Sequence, residues 1–171
     1  FTGTFDGAGH TIHDIVYGTS DTSSERALFR RVDGATIENV YLDTVVASTD
    51  EKQRVAGLVI DAFNGTRLEG NAVTNAELST AHDYAGGLTA QADTDTVVTN
   101  NLVQAQVTSA RYPAGIAGYV RKSVELTNNL VDAEIVTTGS GSRGGMVAGY
   151  AGNANAQLNP VTRIAENVVY A

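Results

Sequence analysis

The sequence predicts an all-β chain wound as a right-handed parallel β-helix, a solenoid of about six coils with a period near 30 residues. Three observations predict it. A segment of the form "LTNNLVDAEI", starting at Leu126, recurs as "IENVYLDTVV" from Ile37, "LEGNAVTNAEL" from Leu68, "VTNNLVQAQV" from Val98 and "IAENVVYA" from Ile164, with a looser copy, "IHDIVYG", from Ile12. The opening aliphatics lie 25, 31, 30, 28 and 38 residues apart, and a repeat of that length marks a solenoid or another repeat architecture. Within each copy apolar and polar residues alternate with the period of a strand, and no charged-face helical pattern interrupts them. One coil of such short strands cannot bury enough apolar surface to stand alone. Stacked coils share their core, which places like residues over like at the spacing of neighbouring strands, about 4.8 Å.

In chain order, the entry "FTGTFDGAGHTIHDI" carries turn signals at Asp6-Gly7 and Ala8-Gly9 and leads into Ile12. Counting each repeat from its opening aliphatic, position five holds Tyr17, Leu42, Val73, Val103, Val131 and Val169, an expected inward column. Position nine holds Val46, Val107 and Ile135, also expected inward, while Gln104, Gln106, Asp132 and Glu134 point out. Leu78 falls at position ten and predicts a one-residue bulge in the third repeat. Position two holds Asn39, Asn100 and Asn128, expected to stack as a side-chain amide ladder at an inward bend.

A second strand follows each first one: "ALF" at Ala27, "VAGLVIDA" at Val55, "AGGLTAQA" at Ala85, "AGIAGYV" at Ala114 and "GGMVAGY" at Gly144. Its large apolar residue is Leu28, Leu58, Leu88, Ile116 or Met146, with Val32, Ala62, Ala92, Val120 and Tyr150 four residues on. Ten residues separate Leu58, Leu88 and Ile116 from the next opening aliphatic, so one corner is fixed, with turn residues Asp33-Gly34, Asn64-Gly65 and Asp93/Asp95. The opposite connection varies in length, and an insertion at 151–159 interrupts the fixed corner; such segments lie on the surface and carry binding.

The entry resembles the opening of the Gly-rich β-repeat domains of bacterial surface proteins, the GLUG repeats and the N-terminal domain of IgA1-protease-like (M26) metallopeptidases. There a Phe-x-Gly-x-x-Asp-Gly-x-Gly-x-x-Ile segment leads into aliphatic–x–Asn and Gly-Gly-Leu strands. Phe1, Gly3, Asp6, Gly7, Gly9 and Ile12 match it, and Asp14 stands where those repeats usually have Asn. The resemblance implies a secreted or cell-surface bacterial protein, held at a Gram-positive cell wall, whose parent is a zinc metallopeptidase. The chain has no HExxH, so that chemistry would lie in flanking domains of the same chain. A start inside a motif at Phe1 and an end in mid-strand at Ala171 read 1–171 as a single β-helix domain cut from a longer multidomain protein.

Composition narrows the partners. The 171 residues carry 19 acidic and 11 basic side chains, a formal net charge of −8, which disfavours a nucleic-acid groove. Cysteine is absent, which removes disulfides and thiolate ligands, and no apolar run has the length of a membrane span. No cofactor or metal site is expected. His10-x-x-His13 has the wrong spacing for one metal, because strand residues three apart face opposite ways. Asp6-Gly-Ala-Gly reads as a turn, not as a repeated calcium loop. Asp93-x-Asp95 is a carboxylate pair of the kind β-helix polysaccharide lyases and hydrolases use, and also a turn-capping pair.

The most function-like feature is the variable-loop edge, with His82, Asp83 and Tyr84, then Arg111, Tyr112 and Pro113, then Arg143. Of these, His82, Tyr84, Arg111, Tyr112 and Arg143 form the candidate binding patch, because aromatic and Arg side chains on adjacent coils concentrate binding energy. The function expected is a non-catalytic spacer or binding module, not an enzyme, for a host protein or glycan. The alternatives are a carbohydrate-active β-helix enzyme and an adhesin.

Overall fold

Short alternating strands leave a row of backbone donors and acceptors on each edge, and in a solenoid the turn before and the turn after satisfy them. The computed structural model describes residues 1–17, 25–49, 53–152 and 162–170, and shows a parallel β-solenoid of about five turns with a period near 30 residues. One complete turn runs through Val55–Ala56, Val59–Phe63, Arg67–Glu69 and Ala72–Thr80. Each segment stacks in parallel on its counterparts, giving four sheets along the rod.

The long sheet stacks Thr11–Tyr17, Tyr41–Thr49, Ala72–Thr80, Leu102–Ser109, Leu130–Thr137 and Val168–Tyr170. The short sheet stacks Thr4–Asp6, Thr36–Glu38, Arg67–Glu69, Val97–Thr99, Glu125–Thr127 and Arg163–Ala165. The lateral sheet stacks Phe29–Asp33, Val59–Phe63, Thr89–Ala92, Ala117–Val120 and Ala148–Ala151. A narrow hinge sheet of Val55–Ala56, Tyr84–Gly86 and Tyr112–Ala114 joins the long sheet to the lateral one.

The core is a set of aliphatic columns. Ile37, Leu68, Val98 and Leu126 stack from the short sheet, and Leu42, Val73, Val103 and Val131 from the long sheet, all fully buried. Gly57, Gly87 and Gly115 let successive turns close on this core. A Cβ at Gly115 would lie 2.2 Å from the Met146 carbonyl oxygen and 2.4 Å from Val131 Cγ1.

The register corrects four expectations. In the first turn Phe5, not Ile12, pairs with Ile37, and Ile12 pairs with Leu42. Gly7 to His10 fill a corner that Asn39 and Val40 span in the next turn, and those two extra residues displaced the apparent repeat.

Second, the bulge is not confined to the third repeat. Asp14 (φ 56°), Thr44 (φ 58°) and Asn75 (φ 49°) are all left-handed, and the register shifts only between Val103 and Ala105, where the bulge ends. Val46 is therefore turned outward, in the column of Glu77, and Ala47 takes the inward place over Leu78.

Third, the last second-strand copy is offset by one. Ala117 pairs with Ala148, so Val147 continues the Leu58–Leu88–Ile116 column and Met146 occupies the glycine position. Tyr150 accordingly pairs with Tyr119 and faces out.

Fourth, Asn39, Asn100 and Asn128 do not form the buried ladder. They are left-handed, with φ of 53°, 57° and 55°, and Gly70 takes the same place at 64°. Asn is tolerated there because its side chain bonds locally. The Nδ2 of Asn39 donates to Asp6 Oδ1 at 3.1 Å and that of Asn100 to Glu69 Oε1 at 3.3 Å, both on the outside. The ladder is one residue later. The Nδ2 of Asn71 donates to Asn101 Oδ1 at 3.1 Å, that of Asn101 to Asn129 Oδ1 at 2.9 Å and that of Asn129 to Asn167 Oδ1 at 2.9 Å.

The fixed corner is capped as its turn residues predict. Asn64 and Gly65 are left-handed, and Asn64 Nδ2 donates to Asp33 Oδ1 of the previous turn at 2.8 Å. Beneath them the hydroxyls of Thr66 and Thr96 donate to the carbonyls of Phe63 and Asp93. The expected insertion at 151–159 lies, from residue 153 on, outside the described residues.

Candidate functional site

The hinge and lateral sheets meet in a cleft, and side chains from both fill it. From the hinge side come Arg54, Tyr84, Tyr112 and Arg143, which share one register place across turns: Val55, just after Arg54, pairs with Ala85, Tyr84 pairs with Tyr112, and Gly145, two residues after Arg143, pairs with Ala114, two after Tyr112. From the lateral side come Asp61, Gln91, Tyr119 and Tyr150, which pair in register. The two columns interlock like teeth, giving one external spine parallel to the rod.

At its N-terminal end the spine is ionic. Arg54 is held between Glu25 and Asp61, donating through Nη2 to Asp61 Oδ2 at 3.0 Å and through Nε to Glu25 Oε1 at 2.7 Å, with Nη1 reaching Gln91 Oε1 at 3.3 Å. Burial alone would lower the guanidinium pKa, but the charges and hydrogen bonds of Asp61 and Glu25 outweigh it and raise it.

Toward the C-terminus the spine becomes aromatic. Tyr84 stacks on Tyr119 with centroids 4.9 Å apart, Tyr119 on Tyr112 at 5.8 Å, and Tyr112 on Tyr150 at 5.1 Å, all within 26° of parallel. Rings on the same sheet are 5.4 Å (Tyr84–Tyr112) and 5.2 Å (Tyr119–Tyr150) apart. The Arg143 guanidinium closes the stack 5.1 Å from the Tyr150 centroid, and Arg121 flanks Tyr119 at 5.9 Å. Burial raises the Tyr84 phenol pKa, and the neighbouring Asp83 charge adds to the shift.

The cleft floor narrows as the rings fill it. Directly before the lateral spine residues lie Ile60, Ala90, Gly118 and Gly149. Ile60 and Ala90 pack with Ala56 in a small cluster separate from the main core. At Gly118 a Cβ would lie 2.9 Å from the carbonyl oxygens of Ala85 and Tyr112, and at Gly149 2.8 Å from that of Gly118. The backbones approach there because nothing stands between them.

The structure brings most of the expected patch together. Tyr84, Tyr112 and Arg143 are in the spine itself. His82 and Arg111 lie beside it, lining a surface hollow of about 340 Å³ with Asp83 and Ala110. Arg111 Nη1 donates to Asp83 Oδ1 at 3.4 Å, with the Arg111 side chain largely open to solvent and that of Asp83 partly covered. Sequence reasoning missed Tyr119, Tyr150, Arg54, Asp61 and Gln91. The signal was available: with Gly118 and Gly149 as a column, the tyrosine after each glycine must face the other way.

The other candidates have local roles. Asp6 accepts from the Ala8 amide at 2.8 Å, which with Asn39 lowers its pKa, as in a turn. His13 Nδ1 lies 3.3 Å from Asp43 Oδ2. Asp93 Oδ1 accepts from the Thr94 amide at 2.8 Å, and Asp93 pairs with Arg121 at 3.6 Å, while Asp95 is left-handed at the same turn. Asn100 and Asn128 border a shallow groove of about 710 Å³ over the bend between short and long sheets, with Tyr41, Ala72, Leu102 and Leu130. Among the described residues no group of three or more His, Asp or Glu could hold a metal ion, and no helix is long and apolar enough to cross a membrane.

No protein-family model, curated protein or solved structure matches this chain.

Proposed function

We propose that this chain is a non-catalytic spacer or binding module of a secreted or cell-surface bacterial protein, of the kind found in the N-terminal region of M26-like metallopeptidases and held at a Gram-positive cell wall. Its solenoid is taken as right-handed, in about six coils, following the handedness that parallel strand crossovers favour. Flanking domains of the same chain carry any peptidase chemistry, and the partner is a host protein or glycan.

The observation that supports this reading is the spine. It places aromatic and Arg side chains in a fixed row on the outside of a rigid rod, beside the loops that vary in length from turn to turn. The carboxylates that an enzyme would need are tied into turns: Asp93 holds the Thr94 amide, and Asp33 holds Asn64.

Two measurements test it. Antibodies to the chain should label intact bacteria of the source strain, and labelling only after lysis would refute the surface assignment. The purified chain should leave polysaccharides intact. Turnover of a polysaccharide, lost in Asp93→Ala and Asp95→Ala, would replace this reading with that of a carbohydrate-active enzyme.

A further inference from the structure

We infer that the aromatic half of the spine, Tyr84, Tyr119, Tyr112 and Tyr150 with Arg143 and Arg111, binds an acidic glycan, a sugar polymer bearing carboxylates. The inference rests on the binding-module reading and names the ligand class of that site.

The first observation concerns unused hydrogen-bonding capacity. Among the described residues, the hydroxyls of Tyr84, Tyr112, Tyr119 and Tyr150 make no hydrogen bond to the chain, and none is a buried, unsatisfied group. Four phenols therefore offer a donor and acceptor each to solvent, in a row spaced by the stacking distance of about 5 Å. Their rings are locked by one another, so a ligand orders little on binding, and preorganised tyrosines lose few rotamers.

The second observation concerns charge. The guanidinium of Arg143 lies over Tyr150 with no carboxylate partner among the described residues. The Arg143 amide donates to the Arg111 carbonyl at 2.8 Å, so the two residues sit on adjacent turns, and the Arg111 side chain is only loosely engaged by Asp83. In a chain of net charge −8, Arg143 at the C-terminal end of the hydroxyl row and Arg111 beside the row select an anion locally. The planar fork of Arg fits a carboxylate with two parallel hydrogen bonds.

A polyhydroxylated chain with periodic carboxylates satisfies both features. An acidic peptide satisfies only the charge: extended peptides take their specificity from side-chain pockets, and the spine presents stacked ring edges instead. The ring faces are occupied by neighbouring tyrosines, so recognition runs through hydroxyls and Arg rather than through stacking of sugar on ring.

The test is calorimetric titration of the chain with three probes: oligogalacturonate (acidic glycan), an uncharged dextran oligomer of similar length, and poly-glutamate. Expected are binding of oligogalacturonate at least tenfold tighter than of either other probe, and a further tenfold loss in Arg143→Gln and in Arg111→Gln. Both sites are exposed, so these variants should keep the parent melting temperature. Equal affinity for dextran, tighter binding of poly-glutamate, no binding of any probe, or full affinity in both variants would each overturn the assignment. Reducing ends are counted in the same samples. Cleavage of oligogalacturonate would refute the non-catalytic reading while leaving the site in place, whereas absent binding without cleavage removes the site alone.

Discussion

Asn101 donates through Nδ2 to Asn129 Oδ1 at 2.9 Å, and the same oxygen of Asn129 also accepts the Asn101 backbone amide at 3.0 Å. Asn101, Asn129 and Asn167 thus each close two donors of the turn before, and Asn71 closes one, the Val40 amide. Asn101 Nδ2 further reaches the Leu68 and Thr99 carbonyls, and its own Oδ1 receives the Asn71 amide and side chain. Removing one rung strands groups in two turns at once.

Asn101→Ala should therefore lower stability by about 3–5 kcal/mol, since each buried group left unpaired costs about 1–3 kcal/mol. Asn100→Gly, one residue earlier at a left-handed and exposed position, should change stability by less than about 1 kcal/mol. Urea denaturation of the pair checks this, and equal losses would contradict the off-by-one ladder.

The contrast shows what the sequence carries. Columns such as Val73–Val103–Val131 were legible because stacked turns place like over like, and the period alone identifies them. The ladder was not, because Asn100-Asn101 and Asn128-Asn129 are doublets, and a left-handed corner and a buried amide rung both favour Asn. Gly70 beside Asn71 distinguishes them: glycine can replace the corner residue but not the rung. The spine was half legible. Tyr84, Tyr112 and Arg143 stood out as loop-edge residues, whereas Tyr150 was set one place off by the shift at Met146.

Gly115→Ala should prevent folding or cost more than about 4 kcal/mol, because the new methyl meets backbone of the next turn at 2.2 Å. At Gly65, where nothing lies within 4 Å, alanine should cost only the strain of its positive φ, about 1 kcal/mol. Circular-dichroism melts of both variants read the difference.

Tyr119→Ala removes a ring stacked on Tyr84, Tyr112 and Tyr150. A loss of about 2–3 kcal/mol is expected, from pair terms of about 0.5–1.5 kcal/mol each plus lost burial. Tyr119→Phe keeps the stack and should stay within about 0.5 kcal/mol of the parent by melting, since the hydroxyl has no partner in the chain among the described residues.

Asp43 supplies a pH dependence. The Thr74 hydroxyl first, then the Asn75 amide, and to a smaller extent His13, hold its carboxyl below the usual range. Between the folded and unfolded pKa values only the unfolded chain binds the proton. Stability is therefore full above the unfolded value, about 3.9, and falls as pH drops through the folded one. Melting temperature should decline from about pH 5 downward, and Asp43→Asn should make the decline shallower. An unchanged profile in the variant would refute the assignment.

Spectrophotometric titration of the phenols should resolve Tyr17 as the last to ionise. Burial pushes it up to about 12, and its hydroxyl is enclosed without a hydrogen-bond partner among the described residues. Tyr84 should also ionise above the ordinary value, and a single transition at pH about 10 for all phenols would contradict both.

The run Ile60, Ala90, Gly118, Gly149 gives the turns an order that cannot be shuffled. Floor and filling change together, from a branched side chain under an ion pair to bare backbone under stacked rings. Gly118-Tyr119 and Gly149-Tyr150 stack as like on like, whereas a gene rearrangement that joined the turn of Ile60 directly to that of Gly118 would set a branched floor beside a stacked ring. The spine therefore reads as a graded series with a direction, in which only turns alike in floor and filling can stand next to one another.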